Sequence, residues 1–199
     1  AHGANYSAHQ VDISDVGAIE AFYKNVAERH GGVDMLINNA GLLSEVSLLD
    51  MTEDDWDRVL DVNAKGAVFM SQGAVRLMQD GEGDRQIVNV VSLAALVGGL
   101  YVGAPYVCSK AAMLGLNRNY AVQAGRAYGI RVNSISPVIV SGQMISGTSS
   151  QAIDGVKNLM KVWKQEVPPL HLLYVFEMLC RTPSITGKNI VIDGGILLE

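Results

Sequence analysis

The sequence predicts an α/β fold in which helices cover both faces of a doubly wound parallel sheet. Three observations carry that expectation. Short β-rich runs alternate with longer helical patterns, most of those runs are apolar on both faces, and small or polar residues follow directly where the runs end. Strands that are apolar on both faces suit a parallel sheet covered by helices on each side. Strand–helix alternation is the mark of the doubly wound architecture.

The elements follow in order. SAHQVDIS (7–14) reads as the first strand, and the helix after it, over 15–30, is closed by the glycines of HGG (30–32). DMLINN (34–39) is the second strand and runs into NNAGLL (38–43). A long helix over 52–79 opens with Thr52 and Asp55 at the spacing of a capping box. QIVNVVS (86–92) is the third strand, ending at Ser92, and a helix over 105–128 follows. IRVNSIS (130–136) is the fourth strand, leading through SPVIVSGQM into a Gly- and Ser-rich loop over 141–150. Helices over 150–166 and 169–180 and a last strand NIVID (189–193) complete the pattern. With 199 residues and no internal repeat, the chain is read as a single domain over 1–199. In such a sheet, ligands sit at the carboxyl ends of the strands, so the loops after 39, 92 and 136 are where a site is expected.

Composition narrows the function. A formal charge of −5, with Lys and Arg scattered, offers no basic stripe for a phosphate backbone, so nucleic acid is not an expected partner. No apolar run approaches the roughly 18 residues that would span a bilayer, and the opening AHGANYSAHQ has no basic segment followed by an apolar one. The expectation is a soluble, cytoplasmic protein without a membrane partner. Cys108 and Cys180 are read as reduced, packed thiols. His2, His9, His30 and His171 lie too far apart in sequence to suggest a metal site.

One pair of residues stands out. In PYVCSKAAM (105–113), Tyr106 and Lys110 are four apart at the start of a largely apolar helix. Residues at that spacing face the same way, with about 5–6 Å between their Cβ atoms, so the ammonium is close enough to favour a phenolate. A phenol so placed can exchange a proton with a hydroxyl or carbonyl.

The pair's surroundings resemble the short-chain dehydrogenase/reductase family. NNAG (38–41), DVNAKG (61–66), IVNVVS ending at Ser92, YVCSK beginning at Tyr106, RVNSISP (131–137) and ITGKNIVIDGG (185–195) stand in the family's order and span almost the whole chain. The resemblance implies a Rossmann-like fold and an NAD(P)-dependent oxidoreductase that interconverts a secondary alcohol and a ketone. It implies catalytic roles for Asn63, Ser92, Tyr106 and Lys110. Tyr106 would be the proton donor or acceptor, and Ser92 would hold the reacting oxygen. Lys110 would lower the phenol's pKa and contact the cofactor, while Asn63 would interrupt its helix and hold a water linked to Lys110.

For the cofactor, NAD or NADP, the resemblance implies an adenine contact at Asp12 with Ile13 beside it. Asn39, Ala40 and Gly41 would form a ribose-facing turn fixed by Asn39, Tyr106 and Lys110 would lie along the cofactor, and Pro137 and Ile139 would meet the carboxamide. Val138 and Gly142 depart from the family's usual glycine and threonine. The family's opening strand and glycine-rich, phosphate-binding turn, with the strand that separates NAD from NADP, are not found before SAHQVDIS. The chain is therefore read as N-terminally truncated, with the cofactor weakly bound or absent and the sheet left with an unprotected edge. A second departure is VPPLHLLYVFEMLC, which lacks the family's usual turn before its last helix.

The expected substrate is a small apolar ketone or alcohol, from pocket walls drawn from Leu42, Leu43, Leu93, Leu96, Tyr101, Met144 and Ile145. By the same resemblance, the partner is a second copy, in a homodimer or homotetramer joined through helices 52–79 and 105–128. The alternative is a truncated homologue without activity that acts as an oligomer or interaction partner. A lyase or dehalogenase that needs no nicotinamide is disfavoured because Lys110 is retained.

Overall fold

A computed structural model describes residues 6–99 and 101–198. Its elements are α1 (Val16–His30), β1 (Met35–Asn38), α2 (Glu53–Leu60), a π-helical turn (Asp61–Gly66), α3 (Ala67–Met78), β2 (Gln86–Val90), α4 (Ala94–Val97), α5 (Ala104–Tyr128), β3 (Arg131–Pro137), a 3₁₀ turn (Gln143–Ile145), α6 (Ser150–Leu159), α7 (Pro169–Arg181) and β4 (Asn189–Ile192). The strands pair in parallel in the order β1-β2-β3-β4. All four carboxyl ends therefore lie along one edge, and the architecture is the Rossmann-like parallel α/β fold.

The helix ends are set by local chemistry. Thr52 and Asp55 close both halves of a capping box, the Thr52 side chain accepting from the Asp55 N–H and the Asp55 carboxylate accepting from the Thr52 N–H at 3.1 Å. Asp15 caps α1, accepting from the N–H groups of Gly17 and Ala18, and Gly31 ends that helix at φ 78°, a conformation that costs glycine little.

Every residue of β2 and β3 is buried. The reason is that neighbouring residues face opposite layers. Ile87 and Val132 pack under Ile19 and Tyr23 of α1, Ala74 and Met78 of α3 and Ala124 of α5, whereas Val88 and Ile135 pack under Leu179 of α7. Each such buried aliphatic side chain contributes about 1.5–3 kcal/mol. A polar ladder crosses the sheet within this apolar setting. Asn38 donates to Ser71 Oγ and Asn89 Oδ1, both at 2.9 Å, and Asn89 donates to Asn117 Oδ1 at 3.3 Å. The ladder satisfies polar groups that burial would otherwise make costly.

Three expectations are corrected. Residues 7–14 are not a strand: they form an irregular stretch ending in a turn, and β1 has no strand on its outer side among the described residues. A strand needs a partner, and Ile13 of this stretch is instead held against Gly66, where an added Cβ would lie 2.8 Å from the Ile13 carbonyl oxygen. The helix expected over 150–166 ends at Leu159. There Met160 turns to extended backbone and buries its side chain completely, and the N–H groups of Val162 and Trp163 both donate to the Gly194 carbonyl. Cys108 and Cys180 are exposed rather than packed, although Cys180 Sγ still accepts from the Gln86 amide of β2 at 3.3 Å. Among the described residues no helix is long and apolar enough to cross a membrane, and no three His, Cys, Asp or Glu side chains gather as metal ligands.

Candidate active site

At the carboxyl edge of the sheet, a cavity of about 480 Å³ opens between the ends of β2 and β3, the start of α5 and the segment running into α6. Ser92, Tyr106, Lys110, Asn39, Pro137 and Ile139 all line it. Ser92 stands just past the end of β2, its Oγ accepting from the Ala94 N–H at 3.2 Å. Tyr106 lies in the first turn of α5, where Pro105 suits a helix N-terminus because its missing N–H has no intrahelical partner there. Lys110 follows one turn later and is only 2% exposed.

The electrostatics differ from the expectation for a phenol beside an ammonium. Burial pushes the Tyr106 phenol above its ordinary value of 10, and a hydrogen bond with Ser92 offsets part of that shift. Lys110 does not reach the phenol oxygen. Its Nζ donates to the Val90 carbonyl at 3.0 Å, lies 3.7 Å from Met113 Sδ, and sits 5.8 Å from the centre of the Tyr106 ring. Burial lowers Lys110 to about 8, because removing the ammonium from water disfavours its charged form. At neutral pH the pair is thus a neutral phenol, able to donate a proton, above a buried cation.

Asn63 sits behind the cavity wall, 1% exposed, in the π-helical turn between α2 and α3. Such turns insert an extra residue into a helix and often mark functional sites. The carboxamide grips Leu42 at both backbone groups, accepting from its N–H at 2.7 Å and donating to its carbonyl at 2.9 Å. It also donates to Ser109 Oγ at 3.0 Å, and Ser109 in turn donates to the Tyr106 carbonyl at 2.8 Å. One side chain therefore ties the loop after β1 to the helix carrying Tyr106 and Lys110. Gly41 is needed for this fit, since a Cβ there would lie 3.1 Å from Asn63 Oδ1 and 3.5 Å from Lys110 Nζ.

The remaining expected residues divide. Asn39 and Ala40 are exposed, and it is Asn63, with Asn38 in the ladder, that fixes the end of β1 rather than Asn39. Asp12 and Ile13 do not line the cavity. Asp12 is exposed and accepts from the Ser14 N–H at 2.9 Å and the Ser14 hydroxyl at 2.7 Å, bonds that hold its carboxyl below the usual range. Of the expected walls, Leu43, Leu93, Tyr101, Met144 and Ile145 line the cavity, whereas Leu42 and Leu96 do not. Val138 uses its backbone N–H to reach the Ile192 carbonyl at 2.9 Å, which ties the loop after β3 to β4. Sequence reasoning missed Glu45, Ser141, Gln143 and Thr148, polar residues of the lining on the side away from Tyr106's helix.

Ser92, Tyr106 and Lys110 thus share one cavity at the carboxyl edge of the parallel sheet. The sequence matches, over residues 1–197, the family model described as enoyl-(acyl carrier protein) reductase. The chain belongs to the short-chain dehydrogenase/reductase family. It is similar to the meso-2,3-butanediol dehydrogenase of Serratia marcescens, with 33% identity over 94% of this chain and 74% of that protein. Among solved structures, a short-chain dehydrogenase/reductase from Serratia marcescens BCRC 10948 superposes with a TM-score of 0.88 at 29% identity, covering 98% of this chain and 78% of that one. A 4-hydroxyisoleucine dehydrogenase complexed with NADH superposes with a TM-score of 0.87 at 28% identity, covering 96% and 79%.

Proposed function

We propose that this chain interconverts a secondary alcohol and a ketone with NAD or NADP as hydride carrier, using Ser92, Tyr106 and Lys110 with Asn63 as their support. The observation that carries the reading is the convergence of Ser92, Tyr106 and Lys110 on one cavity, with the Tyr106 phenol raised above its ordinary value. The relatives' names and the NADH complex support the cofactor class.

The cavity fits one end of such a cofactor. Pro137, Ile139 and Asn39 line it beside Tyr106 and Lys110, and Gly41 keeps the adjoining loop close to the buried polar groups. When bound, the dinucleotide supplies the hydride to the carbonyl carbon, or accepts it in the reverse direction. The chain's own residues handle the proton. In reduction, the Tyr106 O–H proton passes to the carbonyl oxygen as that oxygen gains charge, and the phenolate left behind is stabilised by Ser92 and by the nearby Lys110 charge. Oxidation is the reverse, with the phenolate taking the alcohol's proton. Ser92 holds the reacting oxygen beside the phenol, and Asn63 keeps α5 and the loop at Leu42 in register. Asp12 with Ile13 is the proposed contact at the far, adenine end.

The test is a panel of apolar ketones and secondary alcohols assayed with NADH, NADPH and their oxidised forms, following the absorbance of the reduced nicotinamide. Turnover of at least one ketone–alcohol pair, reduced on the order of 10²-fold or more by Ser92→Ala, is expected. A panel with no turnover would remove the reading.

A second reading, a protein that acts by pairing with another chain, is favoured by exposed apolar side chains on α7: Leu170, Leu173, Tyr174 and Met178. Among the described residues, those over 52–79 expose no large hydrophobic side chain and α5 exposes Val122 and Tyr128, so α7 is the better-suited contact for a homodimer or homotetramer. Native mass by light scattering, compared with a Leu173→Lys, Tyr174→Lys variant, separates the two contacts.

A further inference from the structure

The lining of the active-site cavity holds two charged side chains, Lys110 and Glu45. Lys110 is buried and its Nζ is already engaged with the Val90 carbonyl and Met113 sulfur. Glu45 is different. It is exposed, it comes from the segment after β1, and its Oε1 accepts a hydrogen bond of 2.6 Å from the Thr148 hydroxyl, 103 residues away in the loop before α6. Glu45 also lines a second cavity of about 570 Å³, whose walls include neither Ser92, Tyr106 nor Lys110. It therefore stands in the partition between the two spaces, together with Tyr101, Val102 and Ala152. Tyr101 is set there by Gly155, since a Cβ at 155 would overlap the Tyr101 ring.

Much of the cavity between these polar points is aliphatic, as with Leu93, Val97, Met144 and Ile145. Glu45 is exposed and partly screened by solvent, but at the rim of such a surface its carboxylate still acts on a charge brought within a few ångströms of it. A ligand carrying a negative charge remote from its carbonyl meets Glu45, while the one cation among the described lining residues, Lys110, is buried beside Tyr106 and held by the Val90 carbonyl. A ligand carrying a hydroxyl or ammonium can give Glu45 the hydrogen bond that Thr148 now gives.

We propose that Glu45 selects the substrate of this cavity: its carboxylate bars anionic ketones and takes a hydrogen bond, in place of Thr148, from a second hydroxyl or an ammonium on a neutral or cationic one. This rests on the cavity being the substrate site proposed above and narrows its substrate class. The substrate is then a ketone or secondary alcohol with a second hydrogen-bond donor, joined to the reacting carbon by an apolar stretch.

The test reads binding rather than turnover, so its failure is distinguishable from failure of the oxidoreductase reading. Dissociation constants of 2-octanone, 8-hydroxy-2-octanone and 7-oxooctanoate are measured by ligand-observed NMR on the full chain and on Glu45→Gln and Glu45→Lys variants, with folding checked by circular dichroism. The wild-type chain is expected to bind the hydroxyketone about tenfold or more tightly than the keto acid, a gap of about 1.4 kcal/mol. Glu45→Gln should shrink that ratio to within about twofold, and Glu45→Lys should reverse it. A ratio unchanged in both folded variants, or no saturable binding of any of the three ketones, overturns the proposal. Binding that follows the expected order without any ketone reduction would leave Glu45's role standing and count against the oxidoreductase reading alone.

Discussion

Lys110 extends its ammonium to the Val90 carbonyl at 3.0 Å while lying 5.8 Å from the centre of the Tyr106 ring. The cation thus supports the phenol through space and is anchored to the end of β2. That arrangement has a consequence for stability that can be measured without substrate. Burial lowers Lys110 to about 8, below the ordinary lysine value near 10.4. Below about pH 8 both the folded and unfolded chains hold the proton, and the fold bears the full cost of the buried charge. Between about pH 8 and 10.4 the unfolded chain still holds it while the folded chain has released it, so this group's contribution to stability rises with pH. Lys110→Met has no such term. Urea unfolding from about pH 7 to 10 should show the wild type gaining on Lys110→Met by up to about 3 kcal/mol. Parallel pH profiles would place the lysine in a far better-solvated setting than its burial indicates.

Asn63 makes three hydrogen bonds while almost fully buried, two of them to the backbone of Leu42. Asn63→Ala leaves the Leu42 N–H and carbonyl without their partner, at about 1–3 kcal/mol each. Stability should fall by about 2–5 kcal/mol, and the Leu42 amide should exchange with solvent faster than those of β2. Unchanged protection at Leu42 would show that the loop is held by something else.

Gly66 ends the π-helical turn directly under Ile13, and a Cβ there would approach the Ile13 carbonyl oxygen to 2.8 Å. Backbone cannot yield as the tip of a side chain can, so Gly66→Ala should displace the turn at 12–14 and cost about 1–3 kcal/mol. Limited proteolysis is the sharper readout: cleavage before α1 should accelerate while the remainder of the fold resists. Equal cleavage rates in both proteins would contradict the docking of Ile13 on this helix.

Sequence reasoning reached as far as local chemistry and motif spacing carry. The capping box at Thr52 and Asp55 and the glycine stop at Gly31 set their helix ends because capping depends on neighbours only. Tyr106 and Lys110 drew notice because they lie four apart on one helix, but their roles and that of Ser92 were legible only through the resemblance of the surrounding motifs to the family. The stretch 7–14 misled because its composition suits a strand, whereas strand formation depends on a partner that composition does not reveal. The ladder of Asn38, Asn89 and Asn117 was illegible for a related reason, since each residue alone reads as an ordinary polar position and only the register of β1 on β2 and the packing of α5 on the sheet bring them together. The pairing of Glu45 with Thr148 lies beyond any local pattern, because 103 residues separate the two.

The most direct test of the proposed chemistry is the effect of Tyr106→Phe on hydride transfer, with dinucleotide binding measured in parallel. The substitution removes one hydroxyl from a 6%-exposed ring and leaves Ser92, Lys110 and the cavity walls in place. Turnover of the best ketone from the panel, followed with NADH and NADPH at millimolar concentrations, should fall on the order of 10²-fold or more, because the proton that the phenol supplies has no substitute. Dinucleotide affinity, read by fluorescence titration of the same two proteins, should change by no more than a few-fold. A Phe variant that turns over at near the wild-type rate would contradict the assignment of Tyr106 as the proton donor, and with it the account of this site.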